Sequence, residues 1–189
     1  MLGREHPALL SGIGDTRIGR ARCGDADAIG ELYADLLPGV LGYLRGAGAC
    51  DAEDLAGDVF LAVIRGLAGF EGDETAFRRW VFTIAHHRLI DVLRKDAHRT
   101  IGASFTPGVD ILEDDTYDRV IGRVDAAPAV RALARLTPDQ RDAVLLRSVA
   151  GLSVADTAAV LNKSQGAVKT LHRRALAALV RLVDGETVS

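Results

Sequence analysis

Helical periodicity is the feature that most constrains this chain of 189 residues, and it is interrupted once. Apolar residues recur every three or four positions over 26–46, 51–69, 74–95 and 137–183, a spacing that predicts helices and not strands. Between 97 and 127 the pattern fails, and prolines, glycines and clustered acids take its place. The sequence therefore predicts an all-α fold of two small helical domains joined by a flexible acidic linker.

The interruption also predicts where the domains begin and end. We expect the two domains over residues 22–96 and 128–183, with the linker over 97–127. A loose N-terminal arm over 1–21 and a short tail over 184–189 complete the predicted organisation.

Composition favours a cytoplasmic protein with no membrane insertion of its own. No run approaches the ~20 apolar residues that cross a bilayer, and the N-terminal stretch lacks the apolar core of a signal peptide. Cys23 and Cys50 have no histidines at metal-ligand spacing, so we expect buried thiols in a reducing compartment, and no metal or cofactor. Since the net charge is -3, binding to a polyanion would have to come from local basic patches.

The second domain marks its helix starts with capping residues. Thr137, Ser153 and Ser164 each stand where a side-chain oxygen can accept a backbone N–H of the following helix. A short helix and a longer one are joined by the three-residue turn "NKS", in which Asn162 tolerates a left-handed conformation. This layout is typical of a helix-turn-helix, whose second helix enters the DNA major groove.

The last helix separates apolar from basic side chains. On a wheel of ~100° per residue, the apolar side chains cluster around Val168. The opposite face carries Lys169, Thr170, Arg173 and Arg174. No Asp or Glu occurs from 163 to 183, so this face is available to DNA. By type, lysine and arginine suit guanine or phosphate, and threonine suits a thymine methyl or a phosphate.

A second patch combines basic and aromatic residues in the first domain. From 78 to 99 basic residues outnumber acids, with Phe77, Trp80 and Phe82 interleaved. Single-stranded nucleic acid requires such a combination, because unstacked bases need flat partners. Phe77 and Trp80 also fit the apolar stripe of the helix, so the alternative is that they belong to the core.

Together these segments resemble the bacterial extracytoplasmic-function (ECF) sigma factors, the smallest group of the sigma-70 family. Region 2.2 is similar to "DAEDLAGDVFLAVIRGLAGF", and regions 2.3 and 2.4 resemble "FRRWVFTIAHHRLIDVLRK". Region 4 resembles "LTPDQRDAVLLRSVAGLSVADTAAVLNKSQGAVKTLHRRALAAL". The segments occur in the family's order and at its separation.

The resemblance implies a sigma factor that directs core RNA polymerase to specific promoters and assists promoter melting, without catalysis. It implies three kinds of partner: the clamp and flap of core RNA polymerase, promoter DNA, and an anti-sigma factor.

It also implies three sets of site residues. The polymerase-binding set is Asp51, Glu53, Asp54 and Asp58. The set for the -10 element is Phe77, Arg78, Trp80, His87, Arg88, Asp91 and Arg94. The set for the -35 element is Lys169, Thr170, Arg173 and Arg174.

The chain departs from the family pattern at a few positions. Gly57 and Asp58 stand where Gln-Glu is common, and a glycine inside a helix costs up to ~1 kcal/mol. Leu171 and His172 stand at a usual arginine and a usual leucine. We expect His172 on the apolar arc to be a core histidine.

Two other classes of function fit parts of the sequence. A stand-alone helix-turn-helix repressor would explain residues 128–183, but it leaves the basic aromatic helix of the first domain unexplained. An enzyme would need a catalytic constellation, and His87 and Asp91, one helical turn apart, have no third ligand or nucleophile beside them.

Overall fold

The computed structural model describes residues 16–101 and 131–186, with side chains over 16–95 and 131–182. Every regular element in these ranges is an α-helix, which confirms the predicted fold class. The helices are α1 (Arg17–Arg22), α2 (Ala26–Ala47), α3 (Ala52–Leu67), α4 (Glu74–Ile101), α5 (Pro138–Ser148), α6 (Val154–Val160) and α7 (Gln165–Glu186). Residues 131–134 are also helical. Of the predicted linker (97–127), residues 102–127 lie outside the described residues, and so do residues 1–15 of the predicted arm (1–21).

Helices α1 to α4 form the first helical unit, with α2 at its centre. Leu32, Leu36, Val40 and Leu44 recur every four residues along α2 and are buried where α3 and α4 pack against it. The buried apolar side chains of α3 and α4 include Leu55, Val59, Phe60, Val63, Leu67, Phe77, Val81, Phe82, Ala85 and Leu89. The apolar stripes that the sequence predicts therefore form the core.

Helices α5 to α7 form the second helical unit, in which α5 and α6 both pack on α7. The predicted caps are present: Thr137, Ser153 and Ser164 each accept a backbone N–H, at 3.4, 3.0 and 3.2 Å. Asn162 adopts the left-handed conformation, with φ 51°, in the turn between α6 and α7. These are local interactions, and they set the helix-turn-helix geometry.

Several element boundaries differ from the sequence-based expectation. Residues 17–22, within the predicted arm, form α1, because Ile18 and Ala21 bury their side chains in the core. Pro38 lies inside α2, where buried residues on both sides hold the helix to the core despite the missing N–H. Helix α4 continues to Ile101, beyond the predicted end near Lys95.

The expectation of buried thiols was wrong. Cys23 and Cys50 are free, and both are exposed. Cys23 is the C-cap residue of α1 and Cys50 lies in the connection between α2 and α3, so neither position belongs to a buried helix face.

The two helical units pack directly against each other. Helix α2 contacts α5, and α4 contacts α6. Apolar side chains of both units join one continuous buried cluster. Sequence analysis did not predict this contact. Because of it, the helices that carry the two basic patches belong to units that share one core.

Candidate nucleic-acid interface

The -35 set lies on a helix whose opposite face is packed. Val168 and Ala175 of α7 are fully buried, whereas Lys169, Arg173 and Arg174 are exposed. Within the described side chains these three cations form no ion pair, so their charge is available. Thr170 is half-buried, and its hydroxyl donates to the Gly166 carbonyl at 3.0 Å.

An ion pair connects the turn before α7 to α5. Lys163 Nζ lies 2.9 Å from Asp139 Oδ2, and Ser164 caps the first turn of α7. The basic residue of the turn therefore ties the start of α7 to α5. A fixed N-terminal turn is needed for the first residues of a recognition helix to reach base edges.

His172 belongs to the packed side of α7, as the wheel predicts. Its imidazole is half-buried, and burial, followed by the nearby Arg147 charge, lowers its pKa. His172 therefore lies on the side of α7 that is turned away from the basic face.

The -10 set divides into packed and exposed residues. His87, Arg88, Asp91 and Arg94 are exposed along α4. Among the described side chains, Asp91 forms no ion pair with either neighbouring arginine. These residues give α4 an open polar face along which a nucleic-acid strand could run.

The aromatic members of the -10 set lie in a packed cluster. Phe77 is 3% exposed, and its ring centroid lies 5.2 Å from that of Phe70. Trp80 stacks on Phe70 at 5.1 Å with an interplanar angle of 28°. Gly66 leaves room for the indole, because a Cβ there would lie 2.8 Å from Trp80 Cζ2. Phe77 is thus buried beneath the exposed polar face of α4, and Trp80 is half-buried at the edge of that face.

The arginines at the start of α4 face the second unit. Arg79 Nη1 lies 3.1 Å from Asp156 Oδ1 on α6, and Asp156 is buried. Arg78 Nη1 donates to the Ala150 carbonyl at 3.5 Å. One cation of the -10 set, Arg78, and its neighbour Arg79 are thus bound to the second unit.

All four acids of the polymerase-binding set are exposed on or just before α3. Asp51 begins the helix without a side-chain cap bond, and Asp54 and Asp58 lie further along it. Glu53 pairs with Arg45, and this hydrogen bond lowers the pKa of its carboxyl. Three of the four carboxylates are therefore free of ion pairs within the described side chains.

An apolar strip beside these acids was missed by sequence analysis. Leu61 and Ile64 of α3 are 51% and 50% exposed, and Tyr33 of α2 is 43% exposed. Tyr33 packs on Phe60 at a ring distance of 4.6 Å, at the edge of a groove of about 300 Å³. A wheel of α3 could have shown the signal, because residues 57, 61 and 64 lie away from the buried stripe.

A polar cluster between the units was also missed. The Tyr43 hydroxyl donates to Asp142 Oδ1 at 3.3 Å and lies 2.8 Å from His86 Nδ1. Burial raises the pKa of Asp142 to about 6 and lowers the pKa of His86. Burial also raises the pKa of the Tyr43 hydroxyl. These groups come from α4, α2 and α5, so only the tertiary fold brings them together.

In the described residues no cluster of three or more His, Cys, Asp or Glu side chains could hold a metal ion. His87 and Asp91 therefore have no further ligand group there. No helix in the described ranges is long and apolar enough to span a membrane.

Two family models match the chain. The model for Sigma-70 region 2 matches residues 31–99, and the model for Sigma-70, region 4 matches residues 128–179. The matches cover the two helical units in the same order as the predicted domains.

Curated relatives align over most of the chain. The ECF RNA polymerase sigma factor BldN of Streptomyces coelicolor is 36% identical over 172 residues, 88% of this chain and 64% of BldN. This chain thus spans slightly less than two thirds of BldN. The ECF RNA polymerase sigma factor ShbA of Streptomyces griseus is 34% identical over 177 residues, 87% of this chain and 92% of ShbA.

Solved structures share the fold. The sigma factor RpoE of Bartonella quintana, in complex with the anti-sigma factor NepR, has a TM-score of 0.66 and 25% identity, covering 80% of this chain and 94% of RpoE. CnrH, in complex with the cytosolic domain of CnrY, has a TM-score of 0.63 and 23% identity, covering 89% of this chain and 96% of CnrH.

Proposed function

Because this chain belongs to the ECF RNA polymerase sigma factors, we propose that it directs bacterial core RNA polymerase to specific promoters. The observation that carries the proposal is the presence of both sigma-70 regions in one chain, each with an exposed polar face suited to nucleic acid. A stand-alone repressor would account for the second unit and leave the region 2 match without a role. Sigma factors are non-catalytic initiation factors, and we assign no enzymatic activity to this one.

The second unit reads duplex DNA at the -35 element. Helix α7 enters the major groove with Lys169, Arg173 and Arg174 outward, while Val168 and Ala175 hold the helix to α5 and α6. The arginines suit bidentate contacts to guanine or salt-dependent contacts to phosphate.

The first unit reads the -10 element and holds the opened strand. The exposed residues His87, Arg88 and Arg94 of α4 offer donors and charge along the helix. Asp91 lies between them as an acceptor. Trp80 lies at the edge of this face, where one side of its ring is already stacked on Phe70. Phe77 acts by supporting Trp80. Arg78 joins the face once its contact with the second unit is released.

Helix α3 provides the contact to the polymerase clamp. Asp51, Glu53, Asp54 and Asp58 supply negative charge. The neighbouring apolar strip of Tyr33, Leu61 and Ile64 supplies surface whose burial stabilises a complex. A charged rim beside an apolar strip is the usual composition of a specific protein interface. The flap is the expected partner of the second unit.

An anti-sigma factor is the third proposed partner, acting on the protein in the cytoplasm, where core polymerase works. The support is the fold shared with RpoE, whose structure contains the anti-sigma factor NepR. The same exposed strip on α3 is accessible to such a protein.

In vitro transcription tests the proposed function. Purified protein and bacterial core polymerase are incubated with a library of genomic fragments, and the start sites are sequenced. We expect defined starts that share upstream elements near -35 and -10 and that disappear without the protein. If an active core polymerase gave no such starts while the protein alone bound duplex sites, the proposal would be wrong and a repressor would take its place.

A further inference from the structure

The groove between α2 and α3 is apolar and open to the surface. Its volume is about 300 Å³, and its lining consists of aliphatic and aromatic side chains together with Gly30. Tyr33 and Ile64 in this lining are 43% and 50% exposed. Gly30 has nothing within 4 Å of an added Cβ, so the lack of a side chain there leaves the groove wide. Burying such a surface against another apolar group is favourable.

The described chain begins next to this groove. Arg17 Nη2 lies 3.1 Å from Asp35 Oδ2 and 3.2 Å from Glu74 Oε1, which fixes the start of α1 against α2 and α4. Arg17 lines a cleft whose lining includes Leu32 and Phe77. The same two side chains also line the groove. The start of α1 and the groove are therefore separated by one pair of buried residues.

The sequence before residue 16 contains apolar side chains of its own. Leu9, Leu10 and Ile13 lie close together in it, and Ile13 precedes Thr16, where the described residues begin, by only a short step. A chain spans at most ~3.3 to 3.6 Å per residue, so the stretch from Thr16 back to Leu9 can reach on the order of 25 Å. That reach is long enough to bring all three apolar side chains into the groove.

A tethered segment suits this groove better than a separate molecule does. The next part of the predicted arm already packs on α2, where Ile18 and Ala21 of α1 are 4% and 2% exposed. A small groove contributes little affinity to a separate protein, because association also costs translational and rotational freedom. A segment on a short tether has an effective concentration on the order of mM, so the same small contact is enough to hold it.

We infer that the apolar segment of the N-terminal arm, residues 7–13, docks in the groove between α2 and α3 and covers Tyr33 and Ile64. The docking is independent of the proposed function. Its consequence rests on that function: Tyr33 and Ile64 belong to the strip proposed to contact the polymerase clamp, so the arm competes with the clamp for this surface. A partner that binds only the uncovered form has its apparent affinity reduced by the fraction of molecules that are uncovered.

Paramagnetic broadening of methyl signals tests the docking in the full chain. The exposed cysteines are replaced (Cys23→Ser, Cys50→Ser), and a nitroxide is attached at Ser11→Cys, between the apolar residues of the arm. We expect the methyl signals of Ile29 and Ile64, which line the groove, to lose intensity. The methyl signals of α7, in the second unit, should retain theirs.

Matched variants separate docking from the effect of the tether alone. Leu9→Ser with Leu10→Ser retains the nitroxide and the length of the arm but removes its apolar side chains, so Ile64 should recover most of its lost intensity. Gly30→Phe should have the same effect, because its ring occupies the groove. Gly57→Phe is the control: it is exposed on α3, has nothing within 4 Å of an added Cβ, and lies outside the groove lining.

Two outcomes would overturn the docking. Equal broadening in the parent and in the Leu9→Ser, Leu10→Ser variant would mean that the tether alone brings the nitroxide near the groove. A mixture that carries the nitroxide and the isotope label on different molecules tests a second copy as the occupant. Broadening that persists in this mixture would show that the arm of another molecule fills the groove.

Binding to core polymerase tests the competition. A dye at the C-terminus reports binding by fluorescence anisotropy. If the groove is uncovered about a tenth to a third of the time, the Leu9→Ser, Leu10→Ser variant should bind core polymerase about three- to tenfold more tightly than the parent. Leu2→Ser, in the same arm but outside residues 7–13, should bind as the parent does.

The outcomes of the two experiments separate the two proposals. Docking with equal polymerase affinity for all three chains would refute the competition and leave the docking intact. If none of the chains bound an active core polymerase, the proposed function and the competition would both fail, whereas the methyl signals would still decide whether the arm docks.

Discussion

The basic faces of α4 and α7 look alike in sequence and differ in the folded protein. On α7 the packed side and the charged side are cleanly separated, and Lys169, Arg173 and Arg174 are exposed and unpaired within the described side chains. On α4 the aromatic residues are packed, and Arg78 and Arg79 contact the second unit. Charge on a helix therefore shows only that a polyanion could bind; what the other groups on that helix contact decides whether the face is free.

The difference also suits the two tasks. Reading duplex DNA requires a rigid helix presented to a groove, and α7 is fixed by the Ser164 cap and the Lys163–Asp139 pair. Holding single-stranded DNA requires aromatic rings and positive charge along one surface, and on α4 these are the half-buried Trp80 and the exposed Arg88 and Arg94.

The largest expected effect is on the aromatic cluster of α4. Trp80→Ala should lower the free energy of unfolding of the first unit by about 3 kcal/mol, because it removes the ring that fills the space between Phe70, Phe77 and Gly66. Thermal unfolding followed by circular dichroism measures this. Trp80→Phe, which retains a ring, should lose much less. If the variant kept its stability but opened promoter DNA poorly, the main role of Trp80 would be DNA binding and not packing. The face of α4 would then be as free to bind DNA as that of α7.

The free face of α7 should show its effect in DNA affinity and not in stability. Arg173→Ala should weaken promoter binding by the polymerase holoenzyme by about 1 to 3 kcal/mol, if the guanidinium contacts a base. Fluorescence anisotropy with labelled promoter DNA measures the affinity. Arg135→Ala removes the same charge at an exposed position outside α7 and should have little effect. Equal losses for both variants would mean that net charge, and not the geometry of α7, determines binding.

The pH dependence of the interdomain contact depends on Asp142. Burial raises the pKa of its carboxyl from 3.8 to about 6, against the Tyr43 hydroxyl and the charges of Arg141 and Lys163, which lower it, and with Asp139, which raises it. A raised pKa means that the contribution of Asp142 to the stability of the folded protein is fully present below about pH 4 and is lost as the pH rises through about 6. His86 has the opposite pH dependence. Burial lowers its pKa, so its contribution to stability is present at higher pH and is lost as the pH falls.

Asp142→Asn separates these two contributions. Below about pH 4 the variant and the parent should have similar free energies of unfolding, since the parent carboxyl is then protonated in both the folded and the unfolded state. Above about pH 6 the variant should be the more stable of the two, by at most about 3 kcal/mol, because only the parent then has a buried charge. Chemical denaturation of both proteins at intervals between pH 4 and pH 8 measures the difference. Parallel curves would show that Asp142 does not change protonation on unfolding.

The smallest expected effect concerns α3, which carries neither basic face. Gly57→Ala should stabilise the first unit by about 0.4 to 1 kcal/mol, because the position is helical, exposed, and has nothing within 4 Å of an added Cβ. Chemical denaturation measures the gain. DNA binding through α7 should not change. A loss of polymerase affinity would indicate that the glycine itself is part of the clamp contact.

Much of the fold could be predicted because it follows from local rules. The caps at Thr137, Ser153 and Ser164 accept a backbone N–H three residues ahead, as their residue types and positions indicate. Element boundaries were less predictable, because Ile18 of α1 is held by the core and not by local propensity.

The candidate site could be predicted where it lies on one helix, and not where it involves several. The exposed cations of α7 follow from the wheel, since apolar residues opposite them must face the core. The burial of Phe77 was one of two alternatives that the sequence left open. The exposed strip of Leu61 and Ile64 depends on which face of α3 meets α2, which the helix's own sequence indicates only in part.

By itself, the sequence determined the helices, their caps, the apolar stripes and the basic face of α7, because each depends on residues within one or two turns of one another. Only the tertiary structure decided that Tyr43 contacts His86 and Asp142 and that Arg79 pairs with Asp156. The same is true of the close packing of α5 against the glycines of α2. These groups lie far apart along the chain. Their contact depends on how whole helices pack, because side-chain shape and the burial of polar groups act between surfaces that no local pattern specifies.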